Sequence, residues 1–269
     1  MIRAHFGIER NPFAQENPTL LPKQEDILET LKVHCNQGGF CLVMGQPGTG
    51  KSLVRERLCK MDHHKRLRLV SVQRTMHTYS NTLRILCEAF GIEYSGTHFK
   101  CERRLIDEAF ALKQNGRSVV TVIDDAHLLD IETLRRLRLL FEDFPHNHNL
   151  ILFGQPQLLY TLSLKTHEDI KSRITYSVTT VKLGPDDMEQ FLLREFDACG
   201  LAQSTLSPEA LGLLVRSTDG ILRKARNLGL ACLLEAVRAR KRVIDLENVN
   251  RVLRQPHWRQ DLDMEGVML

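Results

Sequence analysis

No two of the seven cysteines stand close enough to act as a ligand pair: Cys35, Cys41, Cys59, Cys87, Cys101, Cys199 and Cys232 are scattered, several inside apolar or amphipathic runs. That spacing excludes the paired ligands of a structural zinc site. An odd count without a disulfide framework fits free thiols in a reducing compartment, so a cytoplasmic protein is expected. No stretch approaches the roughly 18–20 apolar residues of a membrane-spanning helix. The N-terminus lacks a basic-then-apolar leader, and no membrane partner is expected. The eleven histidines are not spaced as paired ligands. No nucleophile–base constellation is evident either, which argues against an enzyme acting on a small metabolite. A strong excess of charge is also missing: the net charge is +4 and the isoelectric point about 8.7, short of the basic footprint that by itself marks a nucleic-acid-binding domain.

What is present is patterned. Phe40 to Met44 is a short apolar run that leads into Gly45-Gln46-Pro47-Gly48-Thr49-Gly50-Lys51-Ser52. This matches G-x-x-x-x-G-K-S/T without departure. The glycines let backbone N–H groups face phosphate oxygens with no Cβ in the way. The helix that begins near Lys51 offers its positive end to the same oxygens. Lys51 supplies charge to the β- and γ-phosphates and Ser52 a hydroxyl to Mg²⁺. The expected nucleotide-binding set is Gly45 through Ser52 with Leu53, and the expected cofactors are ATP and Mg²⁺. A second apolar run, Val119 to Ile123, ends in Asp124-Asp125. Asp124 stands where a carboxylate reaches the magnesium, and Asp125 where the attacking water is polarised. Asp125 is one methylene shorter than the usual Glu, which predicts slow hydrolysis.

Strand patterns at 40–44, 67–72, 118–123, 150–153 and 177–181 alternate with helical patterns at 23–36, 51–60, 79–90, 101–114 and 130–143. The order predicts an α/β fold, a P-loop NTPase with a mostly parallel sheet covered by helices on both faces. After Gly184-Pro185 only helical patterns follow, with Ser207 and Asp245 as caps. The expected domains are 1–184 (with an irregular segment 1–22), a small all-helical lid over 185–254, and a poorly ordered tail over 255–269.

With both acidic and phosphate motifs in place, further segments carry a resemblance. His5-Phe6-Gly7-Ile8 with Asn11-Pro12-Phe13, Ile123 to Leu129, Leu152 to Leu158, Ile170 to Ile174 and Gly220 to Leu228 resemble successive motifs of the ExeA-like and TniB/TnsC/MuB-like AAA+ ATPases. The match spans about residues 3–254, departing at Asp125, His127 and Leu222. The resemblance implies roles for three more residues. Gln155 takes the place of a polar sensor at a strand end. Arg173 takes that of an arginine finger completing a neighbouring subunit's site, and Arg223 that of the lid's second sensor. It also implies assembly into a homo-oligomeric ring or filament on double-stranded DNA, with Arg74, Thr75, Lys100 and Arg103 as DNA-facing candidates, and a slow, assembly-stimulated ATPase. Basic clusters occur at Lys60, Lys65, Arg66 and Arg68, at Arg103 and Arg104, at Arg135, Arg136 and Arg138, and at Arg238 to Arg242. Clusters of this kind are more often solvated helix faces than contact surfaces. The leading expectation is a regulator of DNA transposition that recruits a transposase, with a target-selection protein as a further partner. The alternatives are an ExeA-like secretion ATPase, a helicase loader or replication initiator, and an ATP-gated scaffold with little turnover. Secretion members continue into a membrane span and a wall-binding module that this sequence does not contain, which favours transposition.

Overall fold

The structure is a computed structural model and describes residues 1–13, 18–60, 67–72 and 78–258. The chain divides into two compact units, Leu20–Val181 on its own and Met1–Thr19 together with Lys182–Leu269. After a short helix α1 (Ile2–Phe6), the first of these units runs α2 (Pro22–Gln37), β1 (Gly39–Met44), α3 (Lys51–Lys60), β2 (Leu67–Val72), α4 (Tyr79–Phe90), α5 (His98–Gln114), β3 (Ser118–Ile123), α6 (Ile131–Glu142), β4 (Asn149–Gly154), α7 (Pro156–Ser163), α8 (Glu168–Lys171) and β5 (Tyr176–Thr179). The other unit adds α9 (Pro185–Asp197), α10 (Pro208–Ser217), α11 (Leu222–Arg238) and α12 (Leu246–Leu253).

The five strands form one sheet in the order β2-β3-β4-β1-β5, and every pairing is parallel. The predicted α/β sheet with helices on both faces is therefore what the chain forms. Apolar side chains alternate in destination along each strand. Phe40, Leu42 and Met44 join Val70, Val72, Leu150 and Leu152 in a core covered by α4, α5 and α6. Cys41 and Val43 join Val120, Val122, Ile151 and Phe153 in a second core covered by α2 and α3. Burial on both faces is why these strands read as continuous apolar runs. Parallel pairing also brings the C-terminal ends of all strands to one edge of the sheet, and loops at that edge are where open α/β sheets bind ligands.

In the other unit, α10 and α12 begin at the predicted caps. Ser207 Oγ accepts from Ala210 N at 3.2 Å and Asp245 Oδ1 from Asn248 N at 2.9 Å. The segment 1–22 was expected as an irregular part of the α/β domain, but Met1–Thr19 belongs to the helical unit and begins with a helical turn. The reason is side-chain packing. Phe13 sits over Gly229, where an added Cβ would lie 2.7 Å from its ring, and stacks at a tilt on Phe196. His5 Nε2 lies 2.9 Å from Lys241 O, and Arg10 Nε donates to Ala198 O. The tail 259–269 lies outside the described residues.

Candidate functional site

The motif Gly45–Ser52 forms the loop between β1 and α3, at the C-terminal edge of the sheet. Gly48 and Gly50 hold φ of 83° and 98°, a region closed to most residues with a Cβ. Gly45 is demanded by contact instead: a Cβ there would lie 1.9 Å from Thr180 Oγ1. Thr180 ties the loop down. Its hydroxyl meets Thr49 Oγ1 at 2.6 Å, its own N–H donates to Met44 O at 2.7 Å, and Thr49 Oγ1 donates to Gln46 O at 2.8 Å. Buried Gln24 of α2 reaches the loop from the other side, Nε2 to Thr49 O at 3.5 Å. Lys51 Nζ donates to Gly45 O at 2.6 Å and Gln46 O at 2.9 Å, so the ammonium curls across the mouth of the loop.

Asp124 follows β3 directly and is partly buried, its N–H donating to Val72 O at 2.9 Å. Arg55, one helical turn beyond Lys51 on α3, places Nε 3.2 Å from Asp124 Oδ2, with both side chains about 85% buried (15% and 13% exposed). The two form an ion pair without the alignment of a hydrogen bond, since Arg55 Nε has no hydrogen-bond partner. Burial pushes the Asp124 carboxyl above its ordinary range, and the Arg55 charge works against that shift. Asp125 is exposed and holds φ at 50°, and its N–H donates to Asp124 Oδ1 at 3.0 Å. An Asp tolerates this left-handed conformation better than most residues. Gln155 follows β4 directly, beside Gly154, whose carbonyl accepts from Gly45 N at 3.2 Å. Its Nε2 lies 2.7 Å from His127 Nε2.

Lys51, Asp124, Asp125 and Gln155 are thus brought to one edge of the sheet. Arg173 is not. It precedes β5 at the opposite edge, where Thr175 N donates to Phe40 O at 2.8 Å. The length of β1, roughly 15–20 Å at about 3.3 Å per residue, separates it from its own cradle. There Arg173 Nη2 and Arg138 Nη1 both reach Glu142 Oε1, at 3.1 Å and 3.2 Å, on the wall of a cavity of about 440 Å³. Arg223 lies exposed in the first turn of α11, in the other unit.

Of the DNA-facing candidates, Arg74 and Thr75 lie outside the described residues. Lys100 and Arg103 are exposed on α5, with Arg103 Nε 3.6 Å from Asp107 Oδ1. The cluster on α6 is spent internally: Arg135 pairs with Glu132 and Asp169, Arg136 with Glu102 and the Tyr79 ring, Arg138 with Glu142.

The donor set fits a nucleotide-bound magnesium. No group of three or more His, Cys, Asp or Glu side chains among the described residues is placed to hold a metal alone. Mg²⁺ is characteristically held by one or two protein oxygens plus substrate phosphates, and Ser52 and Asp124 are the two residues that would hold it here. Sequence reasoning missed Gln24, Arg55, His127 and Thr180 as parts of the site. Arg55 had a signal, since a residue four beyond Lys51 shares its helix face. Thr180 and Gln24 had none, because their distance in the chain hides the contact.

Sheet order, loop and acidic strand end together define a P-loop fold of the AAA+ kind. Residues 33–162 match a family described as an AAA domain. The General secretion pathway protein A of Aeromonas hydrophila is 29% identical over 234 residues, covering 83% of this chain and 42% of that protein. The chain therefore spans less than half the length of this relative. Among solved structures, the ORC2 protein of Aeropyrum pernix in its ADPNP–ADP complexes superposes with a TM-score of 0.67 at 14% identity, over 98% of this chain and 74% of that one. The Drosophila ORC bound to DNA gives a TM-score of 0.70 at 15% identity, over 98% and 67%.

Proposed function

We propose that this protein is a Mg²⁺-dependent ATPase whose active site is completed by a second copy of the chain. The polarity of the sheet carries this reading: it sets Arg173 at the edge opposite its own cradle, so a finger role is open to it only in trans. A neighbour related head to tail would present that edge to the next cradle, a heterologous arrangement that builds rings or helical filaments. In the site, Gly48, Gly50 and the first turn of α3 receive the phosphates and Lys51 neutralises them. Ser52 and Asp124 would hold Mg²⁺, which supplies charge neutralisation at the β- and γ-oxygens when bound. Asp125 orients water from an exposed, short arm, which supports slow turnover. Gln155 reads the γ-phosphate. For Arg223, exposed in the first turn of α11, the motif resemblance supports a nucleotide-sensor role.

Mixing two inactive variants tests the trans site. Arg173→Ala keeps an intact cradle, and Lys51→Ala keeps an intact finger. Activity regained in the mixture, above the sum of the separate variants, is the expected result. No regain at concentrations where wild-type activity is assembly-dependent defeats the reading.

For the partner, two readings have specific support. The motif resemblance over residues 3–254 supports assembly on duplex DNA in the role of a transposition regulator that engages a transposase, and the DNA-bound Drosophila ORC neighbour suits duplex DNA equally in the role of a replication initiator. Exposed Lys100 and Arg103 suit weak, repeated phosphate contacts. The similarity to General secretion pathway protein A favours a secretion ATPase instead. Where this sequence ends carries no weight against it, because the chain spans only part of that relative. Filter binding of duplex DNA with and without a non-hydrolysable ATP analogue separates the two: nucleotide-dependent, salt-sensitive retention supports the DNA reading, and its absence supports secretion.

A further inference from the structure

Gln155 is the N-cap residue of α7, yet its side chain makes no capping bond. It turns to the imidazole of His127, which projects from the short turn Ala126–Leu128 just after Asp124-Asp125. An amide has the same outline either way round, so the ring decides which end meets it. The other ring nitrogen, His127 Nδ1, is buried and has no hydrogen-bond partner.

The two orientations are not equal. If Gln155 donates from Nε2, the facing ring nitrogen must be bare. The ring proton then sits on Nδ1, a buried N–H with no acceptor. If the ring donates from Nε2 to the amide oxygen, Nδ1 carries only a lone pair. An orphaned buried N–H is the rarer and costlier defect. Burial holds the His127 pKa below its ordinary value, so the ring has one proton to place.

We propose that His127 carries its proton on Nε2, grips Gln155 by the amide oxygen and so turns the amide NH₂ toward the cradle, as the donor for a γ-phosphate oxygen. His127 is then a positioning residue that sets the preference for ATP over ADP. The sensing part rests on the ATPase reading above; the tautomer does not. ADP offers that NH₂ no acceptor, and a hydrogen bond to a charged phosphate is worth about tenfold or more in affinity.

Two measurements test this separately. Long-range ¹H–¹⁵N correlation spectra of nucleotide-free protein, with His127 assigned by its loss in His127→Gln, are expected to show the Nε2–H tautomer. An Nδ1–H tautomer overturns the proposal whatever the protein binds. Equilibrium binding of Mg–ATP analogue and Mg–ADP to wild type, His127→Leu, His127→Gln and Gln155→Leu then tests the role. Both leucine variants are expected to lose about tenfold in ATP-over-ADP preference with ADP affinity kept. His127→Gln, which retains a donor, is expected to restore most of it. Equal loss for both nucleotides, or a preference unchanged in His127→Leu, assigns the ring a merely structural role and overturns the proposal. A wild type that binds neither nucleotide refutes the ATPase reading and the sensing role with it, while leaving the tautomer result to stand on its own.

Discussion

Replacing Arg55 by Gln removes the cation that faces Asp124 at 3.2 Å. At that separation the gross attraction is about 5 kcal/mol with an effective dielectric near 20. Deleting one partner of a buried pair typically costs about 3–5 kcal/mol, because the other charge stays behind without compensation. The pair keeps 15% and 13% exposure, so solvent already screens part of the charge, and the missing hydrogen bond at Nε leaves less to lose. A loss of about 2–3 kcal/mol is therefore expected for the α/β unit. For a domain of this size each kcal/mol moves the unfolding midpoint by about 2–4 °C, so a fall of roughly 5–10 °C follows. Mg²⁺ held by Ser52, Asp124 and nucleotide phosphates would supply the missing positive charge. Thermal unfolding followed by circular dichroism, with and without Mg²⁺ and a non-hydrolysable ATP analogue, should then show the deficit of Arg55→Gln shrinking by half or more when metal and nucleotide are both present. The analogue with a chelator should leave the deficit in place. A variant as stable as wild type, or a deficit indifferent to Mg²⁺-nucleotide, refutes the assignment of Asp124 to the metal and of Arg55 to its stand-in.

Three further outcomes follow from the geometry. His148 is buried, stacked on Phe141 and hydrogen-bonded to Thr121 Oγ1, and burial pushes its pKa from 6.5 down to about 3. Its depressed value means that stability is present above the unfolded pKa and is lost as pH falls from about 6.5 toward 3. Between about pH 7 and about pH 5 it should cost about 2 kcal/mol. Burial raises the Asp124 and Glu195 carboxyls and so opposes this slope, which makes the readout a difference: His148→Gln, still able to meet Thr121, should lose less stability than wild type over that window in urea titrations. Gly45→Ala should cost about 1–3 kcal/mol by driving a methyl into Thr180, and Thr180→Ala in the same chain should recover part of it in the same assay. Asp125→Glu should raise the single-turnover rate of ATP hydrolysis by bringing the carboxylate nearer the water, and an unchanged rate would assign the slow step elsewhere.

Residue order by itself determined the layers and the cradle. Strands buried on both faces read as apolar runs, and a glycine-rich turn followed by Lys51-Ser52 is a local device whose geometry depends on its own backbone. The caps Asp130, Ser207 and Asp245 were legible for the same reason, since each acts on an amide three residues away. What only the tertiary structure decided are relations across the sheet. Thr180, directly after β5, locks Gly45 before α3, Arg55 faces Asp124 across two elements, and the arginines of α6 turn out to be struts rather than a basic surface. Met1–Thr19 joins the helical unit because Phe13 finds its socket at Gly229. Local conformation is set by each residue's own sterics and near neighbours, whereas the partner of a charge or a ring is chosen by which distant surface the strand order brings beside it.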